Sequence, residues 1–569
     1  MSTSGVAPRK TPSGRVPRGS ACIDCRRRKL RCDGVKPICG PCLRANRESE
    51  CEYTDGPLIS PTQALEQRVA MLSSRIHELE HPEEKTEGIL LHDPHAGGSG
   101  VAPESPSHSS SSSGSGSSRS VNIPQLIQAP SSNQFMSLMT AFFMPHANQL
   151  GFFMNKGRFS QALRSPHAQT QLALPLLNIL YLWAVHLSNN DSLHAQEPEY
   201  VGVTVKSLAT ALTGTPMTNN PRYILQIVQA QVLMSTYFFS ASRFLEGKYH
   251  CSAAAALAIS LGLHKVRSAD ATTASGLLTS HQPSPPFDPI EEGERVDGFW
   301  TISILDKCWA VALGWSRPHI FDDGSNQMQI DTPWPMDSSH YEEGRILTIR
   351  GSQTVRAFLT GAADLNATLQ RPICILTWHA KAATLYEQAT RITLEFSPGM
   401  ANLEAWQQQY YTLDSLIDRF KSELPPMSAI PETHKHLMRN LLVVHSIAYA
   451  STIQIDIGFG GQNASRNQKS FTAAVAIALA VSRLDLRNMK FIDPIMAIIW
   501  SSACSVIIAS GLLQVAPSQT ATQRHPSQDA RNAVRALLNA MNMFKEASAL
   551  MASQIAKLQD QLKQIGFTA

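Results

Sequence analysis

A chain of 569 residues is too long for one compact core, and with 43% hydrophobic and 17% charged residues it holds material for at least two folded parts joined by linkers. The net charge of +4 hides a split: the first fifty residues carry twelve basic side chains against four acidic ones, so that segment is +8 and the rest −4. A basic head of this kind meets a polyanion, whereas the mildly acidic body does not. Met1 to Ala21 has no apolar stretch of the sort an export signal needs, so a secreted disulfide framework is not expected and clustered thiols read as metal ligands.

Residues 1–20, polar and rich in Gly, Pro and Arg, are expected to be disordered. A cysteine module follows over 21–54, with Cys22, Cys25, Cys32, Cys39, Cys42 and Cys51 spaced C-x2-C-x6-C-x6-C-x2-C-x8-C. A closed zinc site takes four ligands, and no histidine lies in the module to supplement the thiolates. Six thiolates therefore serve two zinc ions only if two of them bridge, and the internal two-fold pattern names the first of each half, Cys22 and Cys39. A one-zinc, four-cysteine knuckle or a Cu(I)-thiolate cluster would use the same sulfurs, but neither explains the basic block Arg26, Arg27, Arg28, Lys29 and Arg31. The module is too small to own an apolar core, so metal binding is its folding energy.

The run from Cys22 through Arg26-Arg27-Arg28-Lys29-Leu30-Arg31-Cys32, continued by Lys36-Pro37-Ile38-Cys39-Gly40-Pro41-Cys42, resembles the fungal Zn2Cys6 binuclear-cluster transcription factors. The resemblance implies a short helix between Cys25 and Cys32 placed in the major groove of double-stranded DNA, with Arg28 and Lys29 as the base-reading pair for a CGG-type triplet. Arg26, Arg27, Arg31 and Lys36 are then phosphate contacts. It also implies a regulator of RNA polymerase II genes in the nucleus, with the basic block doubling as a localisation signal.

After a linker at 55–64, Leu65, Val69, Leu72, Ile76 and Leu79 step by 4, 3, 4 and 3, the apolar seam of a short coiled coil over 65–81. Its position after the cysteine module is where the resembled family dimerises, which implies a homodimer reading two triplets. A lone amphipathic helix is the alternative reading. Residues 82–122 form a Ser/Gly-rich low-complexity tether.

From 123 to 569 apolar residues recur at helical spacing, as in Leu176, Leu180, Trp183 and Leu187, and an all-α regulatory domain is expected, with a mobile insertion at Ser268 to Pro286. Val475, Ile477, Leu479 and Val481 alternate like a strand, but the alanines between them favour a buried helix. The uncharged run Ile495 to Leu513 is read as a core helix, not a membrane span. Two stretches, Ala254 to Lys265 with its Gly262-Leu263-His264-Lys265 end, and Phe299-Trp300 to Lys307 with Gly314-Trp315-Ser316-Arg317-Pro318 and Asp331-Thr332-Pro333-Trp334-Pro335, resemble the regulatory domain of the same fungal factors. Gly262 is placed at a break where a positive φ is needed. Asp306 and Arg317 are expected to form a structural ion pair, and His264 and His319 to play structural roles. No phosphate loop, nucleophile elbow or H-E-x-x-H pattern is present, so an enzyme is not expected. The fold class is thus a Zn2Cys6 module and short coiled coil ahead of a large all-α domain. A small-molecule effector or the transcription machinery are the further partners considered for the body.

Overall fold

The computed structural model describes residues 21–51 and 132–567, apart from internal gaps at 166–170, 189, 214–219, 270–284, 323–324, 326–327, 345–349, 362–373, 398, 428–434, 458–463, 487–488 and 512–520. The candidate seam Leu65, Val69, Leu72, Ile76 and Leu79 lies outside the described residues, as do the low-complexity tether and most of the expected insertion. The chain divides into two units, residues 1–122 and 123–569.

Among its described residues the first unit contains two five-residue helices, α1 (Ile23–Arg27) and α2 (Gly40–Arg44), and a 3-10 turn at Glu48–Glu50. The two helices are built alike. Each starts after a cysteine, Cys22 or Cys39, and places a second cysteine one turn on. Each ends in a left-handed residue, Lys29 (φ 54°) or Asn46 (φ 51°). The following amide then reaches back, Leu30 N–H to the Cys25 carbonyl at 2.9 Å and Arg47 N–H to the Cys42 carbonyl at 3.0 Å. This is the Schellman stop, which satisfies carbonyls that a helix end leaves orphaned.

The expected helix between Cys25 and Cys32 is therefore shifted. It starts earlier, because the Cys22 sulfur accepts the Cys25 N–H at 3.4 Å as an N-cap, and it stops at Arg27 because the backbone reverses at Lys29.

The second unit is helical throughout, with no strand among the described residues and one isolated bridge, Ser268 to Gly351. In chain order the helices are α3 (Ser132–Leu138), α4 (Lys156–Arg164), α5 (Leu174–His186), α6 (Asp191–His194), α7 (Glu197–Thr210), α8 (Pro221–Ser240) and α9 (Phe244–Ser260). Then come α10 (Pro289–Ala312), α11 (Ser338–Glu342), α12 (Thr354–Leu359), α13 (Ile375–Glu395), α14 (Leu403–Glu423) and α15 (Lys435–Ile457). The last four are α16 (Ala464–Ser482), α17 (Ile495–Ala509), α18 (Ala521–Phe544) and α19 (Ala549–Gln564).

Local chemistry explains several starts. Asn220 and Asp288 cap α8 and α10 through amides at 3.0 and 2.8 Å, each followed by proline at the first helical position.

Leu176, Leu180 and Trp183 are fully buried on α5, and Ile477 and Val481 are buried on α16, in line with helical readings at both places. The run beginning at Ile495 forms α17, packed in the core, and no helix among the described residues is long and apolar enough to cross a membrane.

The central strut is α10, whose Trp300 stacks on Trp334 with ring centroids 4.2 Å apart and donates its indole N–H to the Pro333 carbonyl at 2.8 Å. Gly262 takes φ 65° after α9, as its place at a break requires. The His264 carbonyl then accepts the Asp331 and Thr332 amides at 2.9 and 3.1 Å. The two distant motif stretches are thereby clasped to each other. Fully buried Asp331 also takes Lys265 Nζ at 2.9 Å, Ser268 Oγ at 2.6 Å and the Gln353 N–H at 2.9 Å.

The expected ion pair between Asp306 and Arg317 does not form. Asp306 instead accepts His319 Nδ1 at 2.8 Å and the Ile320 N–H at 2.7 Å, while Arg317 lies over the Phe321 ring. The turn after Gly314 carries His319, not Arg317, back to the buried carboxylate. His319 Nε2 meets Ser252 Oγ at 2.9 Å, which puts Ser, His and Asp in the order of a hydrolase relay. Ser252 Oγ, however, donates to the Lys248 carbonyl at 2.8 Å, so it accepts from the imidazole. The hydrogen bond to Asp306 raises the imidazole above the usual histidine range. Through these contacts His319 braces α9 and α10 against the turn after Gly314.

A second carboxylate ties the ends of this unit together. Glu197 accepts His186 Nδ1 at 2.8 Å and Tyr237 Oη at 2.6 Å, with His194 Nδ1 at 3.3 Å, and His186 Nε2 reaches the Ala547 carbonyl at 3.1 Å. Burial would raise this carboxyl, but the His186 bond and charge and the Tyr237 hydroxyl outweigh it and bring the pKa down to about 2. Its stabilisation is therefore complete above the unfolded carboxyl value of about 4.5 and is lost as pH falls toward 2. Glu197→Gln is expected to cost about 2–3 kcal/mol at pH 7. The difference in melting temperature from the native chain should close between pH 5 and pH 2.5, read by tryptophan emission, since Trp183 packs on His186. A gap constant over that range would show that the charge of Glu197 is not what matters.

Candidate metal centre and nucleic-acid interface

Among the described residues the head has no apolar interior other than its sulfurs. Cys22, Cys25, Cys32, Cys39 and Cys42 are buried and cluster together, with only Ala21, Ile38 and Cys51 packed against them. Ile23, Leu30, Val35 and Leu43 are all exposed. Such a segment cannot fold on hydrophobic burial alone.

The sulfur spacing is informative. Cys22 to Cys39 and Cys25 to Cys39 measure 3.6 Å, Cys22 to Cys42 3.7 Å and Cys25 to Cys42 3.8 Å. A tetrahedron of sulfurs around zinc, with bonds of about 2.3 Å, has edges of about 3.8 Å. Disulfide bonds are absent, and all six thiols of the head are free.

Burial pushes the thiols of Cys25, Cys39 and Cys42 up, Cys42 to about 12. Cys22 is also buried, yet the Cys25 amide and its neighbouring thiols draw it down to about 7. Four such sulfurs become thiolates together only around a dication, so the donor set fits zinc.

A second group joins Cys32, Asp33 and Cys39. Cys39 thus stands in both groups, as a bridging position requires, while Cys22 belongs to the first alone. Cys51 falls in neither, but its sulfur accepts the Cys39 N–H at 3.2 Å and so lies beside the shared residue. The donors for two zinc ions are gathered here, and the ions when bound would act structurally, as cross-links between the two helices. Asp33, which the cysteine pattern does not single out, accepts the Gly40 N–H at 2.9 Å and orders the start of α2.

The cations around this centre divide into two sets. Asp24, buried under α1, is flanked by Arg27 at 3.3 Å, Arg28 at 3.5 Å and Arg47 at 3.9 Å. Burial would raise its carboxyl, but the Arg28 and Arg47 charges hold it below the ordinary range. Arg27 also pairs with Glu50 at 3.2 Å, and Arg26 donates to the Ala21 carbonyl at 3.2 Å. Lys29 and Arg31 are exposed and carry no ion pair among the described residues. Lys36 is exposed ahead of a cis bond to Pro37. Sequence reasoning missed the role of Asp24, which fixes the guanidiniums that flank the unpaired pair; an acid inside a basic run was the available signal.

Comparison with known proteins agrees with this geometry. Residues 20–58 match the fungal Zn(2)-Cys(6) binuclear cluster domain, and residues 139–397 match the fungal specific transcription factor domain. The chain is 22% identical over 532 residues, 86% of each protein, to the citrinin biosynthesis transcriptional activator ctnR of Monascus purpureus. It is 44% identical over 73 residues to the citrinin biosynthesis transcriptional activator mrl3 of Monascus ruber, covering 12% of this chain and 14% of that one. It is also 54% identical over 37 residues to the chromatin structure-remodeling complex protein RSC3 of Saccharomyces cerevisiae, covering 6% and 4%. With a binuclear cysteine cluster at its head and the matching helical domain behind it, the chain belongs to the fungal Zn2Cys6 transcription factors, a non-catalytic family of DNA-binding regulators.

Proposed function

We propose that this protein regulates RNA polymerase II genes in the nucleus by reading CGG-type triplets in double-stranded DNA as a homodimer. The reading rests most directly on Lys29 and Arg31, exposed and without an ion pair among the described residues, beside a buried sulfur cluster. The six cysteines hold two zinc ions that lock α1 and α2. Arg28 and Lys29, at the turn that ends α1, hydrogen-bond guanine O6 and N7 in the major groove. Arg26, Arg27, Arg31 and Lys36 contact phosphates and set register without reading sequence.

The seam Leu65, Val69, Leu72, Ile76 and Leu79 pairs two copies, and the residues before it set the distance between triplets. The basic block serves nuclear import. Likeness to two transcriptional activators of citrinin biosynthesis supports activation as the direction of control.

Selection of binding sites from random duplexes by the zinc-loaded full chain tests the proposal. Two CGG triplets at one fixed spacing are expected, and Leu72→Glu should reduce the enriched site to a single triplet. Enrichment without CGG would remove the base assignment, and a single triplet with the native chain would remove the dimer.

A further inference from the structure

The body contains a cavity of about 390 Å³ that the DNA-reading function does not use. It lies where the loop before α4 meets α8, α10, α11 and the first turns of α13 and α15. Its size falls within the range of small-molecule sites, roughly 300–1,000 Å³. Phe153, Ile304 and Trp309 supply apolar wall, and Thr301 opens onto the same space.

The polar part of the wall is unusual. Asp297 Oδ1 and His379 Nε2 are buried atoms without a hydrogen-bond partner among the described residues. Leaving such groups unpaired costs about 1–3 kcal/mol each, more for a charge, so a folded chain retains them where something else supplies the partner.

Charge says what kind of partner. Asp297, Glu294 and Asp493 all line the cavity, and burial raises each carboxyl above its usual range, Asp493 to about 6. Glu294 and Asp337 push Asp297 further the same way. Glu294 has calls on it already, the Asn155 N–H at 2.9 Å and Arg158 at 4.0 Å, and Asp493 accepts the Ile495 N–H at 3.0 Å. Asp297 Oδ1 has none among the described residues. The imidazole of His379 is kept neutral by burial, with its pKa lowered to about 4. Lys156, the only lysine or arginine in the wall among the described residues, is solvent-exposed at its side chain, although burial of its stem lowers its ammonium below the usual lysine range. Arg158 serves Glu294, so among the described residues Asp297 is left facing carboxyls and an imidazole acceptor, with no ion pair of its own.

We propose that this cavity binds a small organic cation, an amine carried on an apolar body, with its ammonium against Asp297 and its apolar part against Trp309, Phe153 and Ile304. Water in the cavity would satisfy single polar atoms but would leave Asp297 without an ion-pair partner. An ammonium supplies both donors and charge and favours the ionised carboxylate of Asp297, with which it forms the ion pair. The site is formed by residues of the second unit alone, so the inference stands whether or not the DNA assignment does.

Calorimetric titration of the zinc-loaded full chain with three matched probes tests it: 4-phenylbutylamine, 4-phenylbutan-1-ol and 4-phenylbutanoate. The amine is expected to bind saturably at one site, at least about tenfold tighter than the alcohol or the acid. Asp297→Asn keeps the shape and removes the charge, so it should bring amine and alcohol to equal affinity. Thr301→Leu narrows the cavity with Asp297 intact and should weaken amine and alcohol alike. Equal binding of the three probes, no binding of the amine up to about 10 mM, near the weak end of specific affinity, or an amine preference that survives Asp297→Asn would each overturn the proposal. The wild-type comparison decides the matter even if a variant fails to fold.

Discussion

Chelation of zinc from the full chain is expected to abolish binding to a CGG-bearing duplex, with a loss of at least about a thousandfold. The head offers no substitute for the metal. Among the described residues its interior is sulfur, four of its five large aliphatic side chains are exposed, and its two helices of five residues are far too short to persist alone. Structural zinc contributes about 10–16 kcal/mol in small modules of this type, more than the whole stability of such a head.

The body provides its own control. All eight tryptophans lie between Trp183 and Trp500, and seven of them are buried. Tryptophan emission and the melting of the body should therefore be unchanged in chelator while DNA binding disappears, and added zinc should restore it. Retention of duplex affinity in the metal-stripped chain would refute the metal-dependent reading.

The second large effect is expected at Lys29. Lys29→Ala should remove about 1–3 kcal/mol of discrimination between a CGG site and random DNA, while salt-sensitive binding to any duplex persists with a slope reduced by about one charge. Alanine is a fair probe here because lysine and alanine pay the same penalty at φ 54°, so the turn is retained. Arg27→Ala should behave differently, because that guanidinium is already engaged by Asp24 and Glu50 and its loss should weaken all sequences alike. Competition assays with specific and random duplexes at several salt concentrations separate the two patterns. Equal losses on both duplexes for Lys29→Ala would reassign it to the phosphates.

Much of the head could be read from the chain because ligand spacing is a covalent property. Two zincs need eight positions, and the count of six cysteines forces sharing whatever the backbone does. The helix boundary was not legible in the same way. It depends on a sulfur capping an amide and on a left-handed lysine, and a positive φ at lysine has no signature in composition.

In the body, the periodic segments around Leu176 and Ile477 announced helices, since a stripe of buried positions is local information. Partnerships across the fold were not local. Arg317 was the natural partner for Asp306 by charge, yet the turn delivers His319 there instead. The cavity was still less visible, being assembled from separate stretches with Asn148 and Asp493 at its extremes.

The clasp around Asp331 bears on how this fold tolerates change in length. One carboxylate grips Lys265 and Ser268 on the strand of chain leading toward residue 270 and Gln353 on the far side of residues 345–349, while the Ala269 amide is bonded to the Gly351 carbonyl at 2.9 Å. With those anchor points fastened to the framework, lengthening the chain beyond Ala269 adds little closure entropy, about 0.6 kcal/mol per doubling of the length between fixed ends. A fluorescent tag or an affinity peptide spliced in at that place should ride on the protein as a passenger.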